Sequence, residues 1–336
     1  MIIGGKKYAH AYLLKVNDVA ESINDFIGNL QSESSFKEPL PTSDPIKINM
    51  EEYRLSWYKK FSKKEIEDIY EDGSDNKRIY YQATAKIESP RRDKVDKDGN
   101  LLDREKRINI NYPDVLLFAK NKKIFVVVIT SYTPDVNRVS MLLGKEKVAP
   151  IQEDDFIENN FFEWIFYLFS NKKDIIKNLN LNNIDGFTGT ILDSTNTFKG
   201  DSEQTASLTI TKAFVSDKWP FDSLKLDLMD SFAQETLVIK TNQEITILIK
   251  KSSLFMNIQN PIEDLKTIFA YLYIILFPKI ITKYKKERNK FIQKNNIDFS
   301  KKIGIEVISS IMKKNKITID EIREYPKKSS RLKIKH

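Results

Sequence analysis

The chain contains no cysteine and only two histidines, His10 and His336. The first absence excludes disulfides, thiolate zinc centres, iron–sulfur clusters and cysteine nucleophiles. The second leaves any Ser-His-Asp triad, multi-histidine metal site or histidine proton shuttle resting on His10, because His336 is the last residue. Carboxylates, Lys, Ser, Thr and Tyr remain for catalysis. Glycine is sparse at 10 residues, and neither G-x-x-x-x-G-K-[ST] nor G-x-G-x-x-G occurs. The glycine-rich phosphate loops of nucleotide enzymes are therefore missing. The longest apolar run, Ile268 to Phe277, is closed by Pro278 and Lys279. It falls well short of the roughly 20 residues of a membrane span, so it reads as a buried helix. The N-terminal MIIGGKKYAHAYLLKV lacks a basic segment followed by an apolar run of about 7–15 residues, so no signal peptide is expected.

What is present is a globular composition: 336 residues, 40% hydrophobic and 30% charged, enough chain for roughly two domains. Lysine outnumbers arginine 45 to 10 and isoleucine reaches 43, a skew that resembles AT-rich prokaryotic or viral coding. Together these features predict a cytoplasmic protein with no membrane partner. Charge divides the chain unevenly. Residues 151–260 hold 10 basic and 16 acidic side chains, whereas residues 261–336 hold 19 and 8, a net +11 against +8 for the whole. Such asymmetry points to a polyanion-facing end.

Periodicity predicts an α+β fold in three parts: an N-terminal mixed sheet with flanking helices over 1–150, an acidic helix plus antiparallel β region over 151–260, and a basic helical region over 261–336. Lys7–Val16 reads as a strand, followed by a helix capped at Asp18 with apolar residues from Val19 to Leu30. The Ser/Pro-rich segment 31–46 reads as a loop, Ile48–Phe61 as extended, and Lys63–Tyr70 as a short helix. Arg78–Glu88, Ile108–Ala119 and Lys123–Ser131 read as strands. The run Ile124–Ile129 is apolar on both faces, which predicts a central, doubly covered strand. Helices are expected over Pro134–Gly144 and Phe156–Ser170, then strands near 187–193, 205–215, 223–229, 235–241 and 244–250, and helices over 261–325.

The most informative pattern follows Pro278, which should kink or end its helix. Lys279, Lys283, Lys286, Lys290 and Lys294 recur at steps of 4, 3, 4 and 4 residues, so about 100° per residue puts them on one face roughly 80° wide. Lys285 and Arg288 widen the positive field, and Ile280, Tyr284 and Phe291 lie on another face as anchors. Like charges in such a row repel by a few tenths of a kcal/mol per pair, a cost an anionic partner relieves. The tail PKKSSRLKIKH adds Lys327, Lys328, Arg331, Lys333 and Lys335 without an acidic residue. Arg91, Arg92, Arg104 and Arg107 bracket a second basic element. Between them Asp96, Asp98, Gly99 and Glu105 fall on positions 3, 5, 6 and 12 of the EF-hand template. Position 1 is Lys94, however, and the flanks read as strands, so a hairpin tip turning at Asp98-Gly99 accounts for the same letters.

Other patterns carry alternatives. Pro113-Asp114 ahead of a hydrophobic strand resembles the restriction-type nuclease core, but Ile124–Ser131 lacks the E-x-K that core requires. A carboxylate- and metal-dependent enzyme would then need Asp114 with a neighbour such as Glu88. In residues 303–326, a lysine turn and the Thr318-x-x-Glu321 capping box predict a helical hairpin like the first half of a helix-turn-helix, with Pro326 arriving too early for a recognition helix. The acidic middle offers a third alternative, a protein-docking surface. The leading expectation is a non-catalytic protein that binds the phosphate backbone of DNA or RNA, without cofactor or metal. It would serve within a prokaryotic complex of the antiviral-defence or mobile-element kind, where a protein partner is plausible.

Overall fold

Strand Ile124–Ile129 carries apolar side chains on both faces, so both faces must be covered, and the covering layers organise the molecule. The computed structural model describes residues 8–17, 22–41, 49–71, 76–190, 196–249, 253–254 and 261–324. Fourteen strands form one sheet: β1 (Tyr8–Val16), β2 (Glu33–Pro39), β3 (Met50–Glu67), β4 (Lys77–Pro90), β5 (Ile108–Asn111), β6 (Asp114–Lys120), β7 (Lys123–Ile129), β8 (Val148–Pro150), β9 (Asn180–Thr190), β10 (Thr197–Asp201), β11 (Phe221–Met229), β12 (Ala233–Lys240), β13 (Ile245–Leu248) and β14 (Ser253–Leu254). The main order is β10-β9-β11-β12-β13-β1-β7-β6-β4-β3-β2, with β5 on β4, β8 on β1 and β14 on β12. Every ladder among these strands is antiparallel. β1 lies between β7 and β13, so strands from residues 1–150 and 151–260 are hydrogen-bonded into the same sheet.

Alternation sorts the core into two layers. Val126 and Val128 of β7, with Val115 and Leu117 of β6, pack against α1 (Ile23–Gly28) and α3 (Pro134–Leu143), while α2 (Arg104–Arg107) is a single turn leading into β5. Val127, Leu116 and Phe118 face the other way, onto α4 (Asn159–Ser170), α5 (Thr209–Ser216) and the C-terminal helices. The expected doubly covered strand is thus central. β6 turns into β7 through Asn121 and Lys122, both at left-handed φ (52° and 61°), the geometry that suits the twist of a two-residue hairpin. α3 ends at Gly144, whose φ of 92° few other residues adopt.

Several elements differ from expectation. Lys63–Tyr70 is not a helix: β3 continues to Glu67, paired with Lys77. Ile66, Ile69 and Tyr70 stand at helical spacing, but so short a stripe does not outweigh the ladder to β4, which runs through Ile66 opposite Arg78. Segment 31–46 contains β2, an edge strand paired to β3. Residues 205–215 hold α5 rather than a strand, because Thr211, Phe214 and Val215 bury one face of a short helix against β9 and the C-terminal helices. The first helix starts at Ser22, whose Oγ accepts from the Asp25 N–H, and Asp18 lies outside the described residues.

Gly189 of β9 marks the tightest joint. A Cβ there would overlap the Phe214 ring of α5 and approach the Pro220 carbonyl oxygen to 2.7 Å. Backbone cannot swing aside as a flexible side chain does. Gly189→Ala is therefore expected to cost about 1–3 kcal/mol, read as a lower denaturation midpoint.

Candidate anion-binding site on the long helix

The C-terminal helix is built in five pieces without a break: α6 (Pro261–Ala270), a wide turn at Tyr271–Leu276, α7 (Phe277–Lys290), a second wide turn at Phe291–Asn295, and α8 (Asn296–Asn315). Pro278 neither ends nor caps it. The wide turn just before the proline takes up the break in the hydrogen-bond ladder that a missing N–H imposes. Ile268, Phe269, Leu272, Ile275, Leu276 and Ile280 bury the inner face in the core, and Tyr284, Phe291 and Phe299 continue it against Phe161, Trp164 and Tyr167 of α4. By length and composition Leu265–Asn315 is apolar enough to cross a membrane, and 61% of its most apolar window is buried inside the protein.

The outer face carries Lys285, Lys286, Lys290, Lys294, Lys301 and Lys302, all exposed. None of the six makes an ion pair among the described residues. Steps of four residues drift by about 40° on a regular α-helix. The second wide turn reverses that drift, which keeps Lys294 and then Lys302 on the side of Lys286 and Lys290. The pair Lys301 and Lys302 was missed by sequence reasoning, although its spacing from Lys294 continued the period.

The rest of the predicted row is neutralised. Lys279 Nζ lies 3.1 Å from Asp68 and 3.1 Å from Glu71, and 5.9 Å from the Tyr70 ring centroid. Lys283 pairs with Glu287 at 2.7 Å, and Arg288 with Glu158 at 2.6 Å, where the Tyr284 hydroxyl also donates. Lys279 is thus a structural cation. Asp68 is only 2% exposed, and removal of the ammonium leaves its carboxylate with the Tyr70 N–H and Arg78, the latter its one remaining counter-charge among the described residues. Lys279→Ala is expected to cost about 1–3 kcal/mol of stability while leaving anion affinity unchanged, checked by thermal melts beside binding isotherms.

The basic hairpin is likewise divided. Arg104 bonds Glu88 at 2.6 Å, and buried Arg107 lies 3.1 Å from Glu51. Beside Arg104 and the Arg54 N–H, the Glu88 carboxyl is held below its ordinary range despite burial. Arg91 donates to Asn109, and Arg91 and Arg92 stay exposed. The tip turns at Gly99 (φ 83°), with Asp96 accepting the Asp98 and Asn100 N–H groups. This hairpin meets β3 at Glu51, whereas Lys279 meets the chain at Asp68, just beyond the strand. Roughly 3.3 Å per residue over that length places the two basic elements about 50 Å apart along β3. Lys327, Lys328, Arg331, Lys333 and Lys335 lie outside the described residues. The Thr318–Glu321 capping box forms as expected at the start of α9 (Ile319–Glu324).

At its N-terminal end the lysine stripe borders a cleft of about 690 Å³. Its wall includes Lys120 and Lys123 from the β6–β7 turn, the segment Glu153–Asn159, and Phe277, Ile281 and Lys285 from α7. Burial, followed by the nearby Lys285 charge, lowers the Lys120 pKa from that of a free lysine. Among the described residues no carboxylate pairs with Lys120, whereas Asp155, also in the cleft wall, is engaged by Lys15 at 2.8 Å. No sequence signal joined Lys120 to Lys285; the sheet brings them together.

Remaining candidates sit elsewhere. Asp114 accepts from Thr84 at 2.7 Å and pairs with buried Lys266 at 3.1 Å, opposite Ile129. Glu88 lies four residues beyond Thr84 on β4, about 13 Å along the strand, and is held by Arg104. No group of three or more His, Asp or Glu side chains suited to a metal occurs among the described residues. His10 Nδ1 lies 2.9 Å from Thr246 Oγ1, a cross-strand pair between β1 and β13. Much of the acidic middle is engaged internally: Asp155 with Lys15, Asp201 with Lys225, Glu244 with Lys240, and Asp230, Glu163 and Glu235 buried. The chain matches no known family and no curated protein.

Proposed function

We propose that the protein binds nucleic acid by its phosphate backbone along the outer stripe of the long helix. One observation carries this reading: six exposed lysines with no ion pair among the described residues line one side of a helix whose other side is locked into the core. Successive lysines at Lys286, Lys290 and Lys294 step about 6 Å along the axis, close to twice the 3.4 Å axial spacing of phosphates on one strand of a duplex. Lysine rather than arginine favours point-charge contact with phosphate over bidentate base reading, so sequence tolerance is expected. In this reading the chain is the nucleic-acid-holding subunit of a larger prokaryotic assembly of the defence or mobile-element type. A protein partner is favoured by Ile305, Ile308, Ile319 and Ile322, each about half exposed near the far end of the same helical unit. The test is retention of DNA and RNA on a filter across salt. Neutralising about six phosphates gives a log–log slope near −5 on duplex DNA, and a flat response removes the proposal.

A further inference from the structure

The cleft beside Lys285 holds an arrangement that the backbone-binding reading does not use. Lys120 is partly buried at its wall and lacks a carboxylate, and Lys285 adds a second positive charge. On the opposite rim Glu153 and Asp154 are exposed and make no ion pair among the described residues. Phe156, 36% exposed, lines the same cleft, whose wall mixes apolar side chains such as Phe277 and Ile281 with polar ones. A volume near 690 Å³ falls within the range of about 300–1,000 Å³ common to small-ligand sites.

We propose that this cleft binds a nucleoside phosphate, free or at the end of a strand, with the phosphate on Lys120 and Lys285 and the base against Phe156. The chemistry of each rim selects that class. Two neighbouring ammonium groups with no ion pair among the described residues call for an anion, and a partly exposed aromatic ring offers a stacking surface to any planar base. The Glu153 and Asp154 carboxylates accept from ribose hydroxyls or base amino groups, which a bare phosphate or a fatty anion would not offer. A seated phosphate also favours the charged form of Lys120, so binding draws in a proton and weakens as pH rises towards the range of a free lysine. The strand-end form rests on the backbone-binding reading, because Lys285 belongs to both the stripe and the cleft. The free-nucleotide form does not.

Calorimetric titration of the full chain with AMP, adenosine and inorganic phosphate tests the site. AMP should bind at least about tenfold more tightly than either fragment, since each engages only one rim. Lys120→Met, which keeps the apolar stem, should weaken AMP about tenfold or more without lowering the melting midpoint. Phe156→Ala, at an exposed position, should weaken it without affecting phosphate. Absence of heat with AMP up to about 1 mM, or equal AMP affinity in the wild type and both variants, overturns the proposal. A 5′-phosphorylated oligonucleotide preferred over its unphosphorylated twin assigns the site to strand ends. AMP binding without that preference assigns it to the free nucleotide. Of the lysine stripe the AMP site uses Lys285 alone, and Lys286, Lys290 and Lys294 carry the duplex reading without it, so failure of one reading is distinguishable from failure of the other.

Discussion

Replacing Lys286, Lys290 and Lys294 together by glutamate is expected to lower affinity for a DNA duplex by at least about 500-fold at roughly 0.1 M salt. The figure follows from counterion release. Three phosphates neutralised on a duplex contribute about −2.7 to the log–log salt slope, or about 2.7 decades of affinity at that ionic strength relative to 1 M. Charge reversal adds repulsion, so the number is a lower bound. The salt slope itself should become shallower by about the same 2.7, which a general loss of folding would not produce. Stability should change little, because the three side chains are exposed and lack ion pairs among the described residues, and the i,i+4 repulsion between like charges is the same for glutamates as for lysines. Gel-shift titrations at several salt concentrations, with melting curves of the same preparations, read both effects. If the stripe merely keeps the surface solvated, the triple variant binds as the wild type does, and the proposed function fails.

The second large effect concerns a carboxyl with no binding role. Glu235 of β12 is 1% exposed, its Oε1 has no hydrogen-bond partner, and Asp230 lies nearby. The Asp230 carboxylate is satisfied by the Tyr70 and Tyr271 hydroxyls and by the N–H groups of Phe232 and Ala233, which leaves no donor there for Glu235. Burial first, and Asp230 second, push the Glu235 pKa well above that of a free glutamate. An acid raised in the folded state costs nothing while it is protonated in both states. Its cost appears as pH rises past the unfolded value near 4.3 and grows by about 1.4 kcal/mol per pH unit until the folded value is passed. Glu235→Gln mimics the protonated acid and removes that slope. The variant should melt close to the wild type near pH 4.5 and increasingly above it as pH rises. A difference that stays constant with pH would show that Glu235 does not titrate across the folding transition.

Much of the sheet was legible because its strands announce themselves: Ile124–Ile129 could only be covered on both faces, and Pro134 with Gly144 bounded the helix that covers one of them. The failures share a cause. The tail of β3 and the strand β2 are edge-region segments with little to bury, so their pairing, rather than their own pattern, makes them strands. Segment 205–215 shows the opposite conflict, in which alternating Thr and Ile suggested a strand until packing of Phe214 and Val215 decided for a helix. Within the site, the period of lysines on the helix was legible, and the capping box at Thr318 and Glu321 was too. Which lysines stay free was not, since Asp68, Glu71 and Glu158 reach Lys279 and Arg288 only across the fold. The cleft was invisible for the same reason: Lys120 and Lys285 are distant in the chain.

The place of β1 between β7 and β13 bears on how the chain is made. One neighbour lies about a hundred residues downstream, while His10 meets Thr246 across 236 positions. During synthesis the first strand can join β7 on one edge and β8 at the Leu14–Val16 end of the other, while the Tyr8–Ala11 stretch of that second edge stays bare until nearly three quarters of the polypeptide has emerged. Loop-closure entropy makes such late pairing slow, and the waiting edge offers its amides to any passing strand. Fragments ending before residue 245 should therefore aggregate on the ribosome's timescale, and the protein's yield in cells will depend on how quickly translation reaches that closing strand.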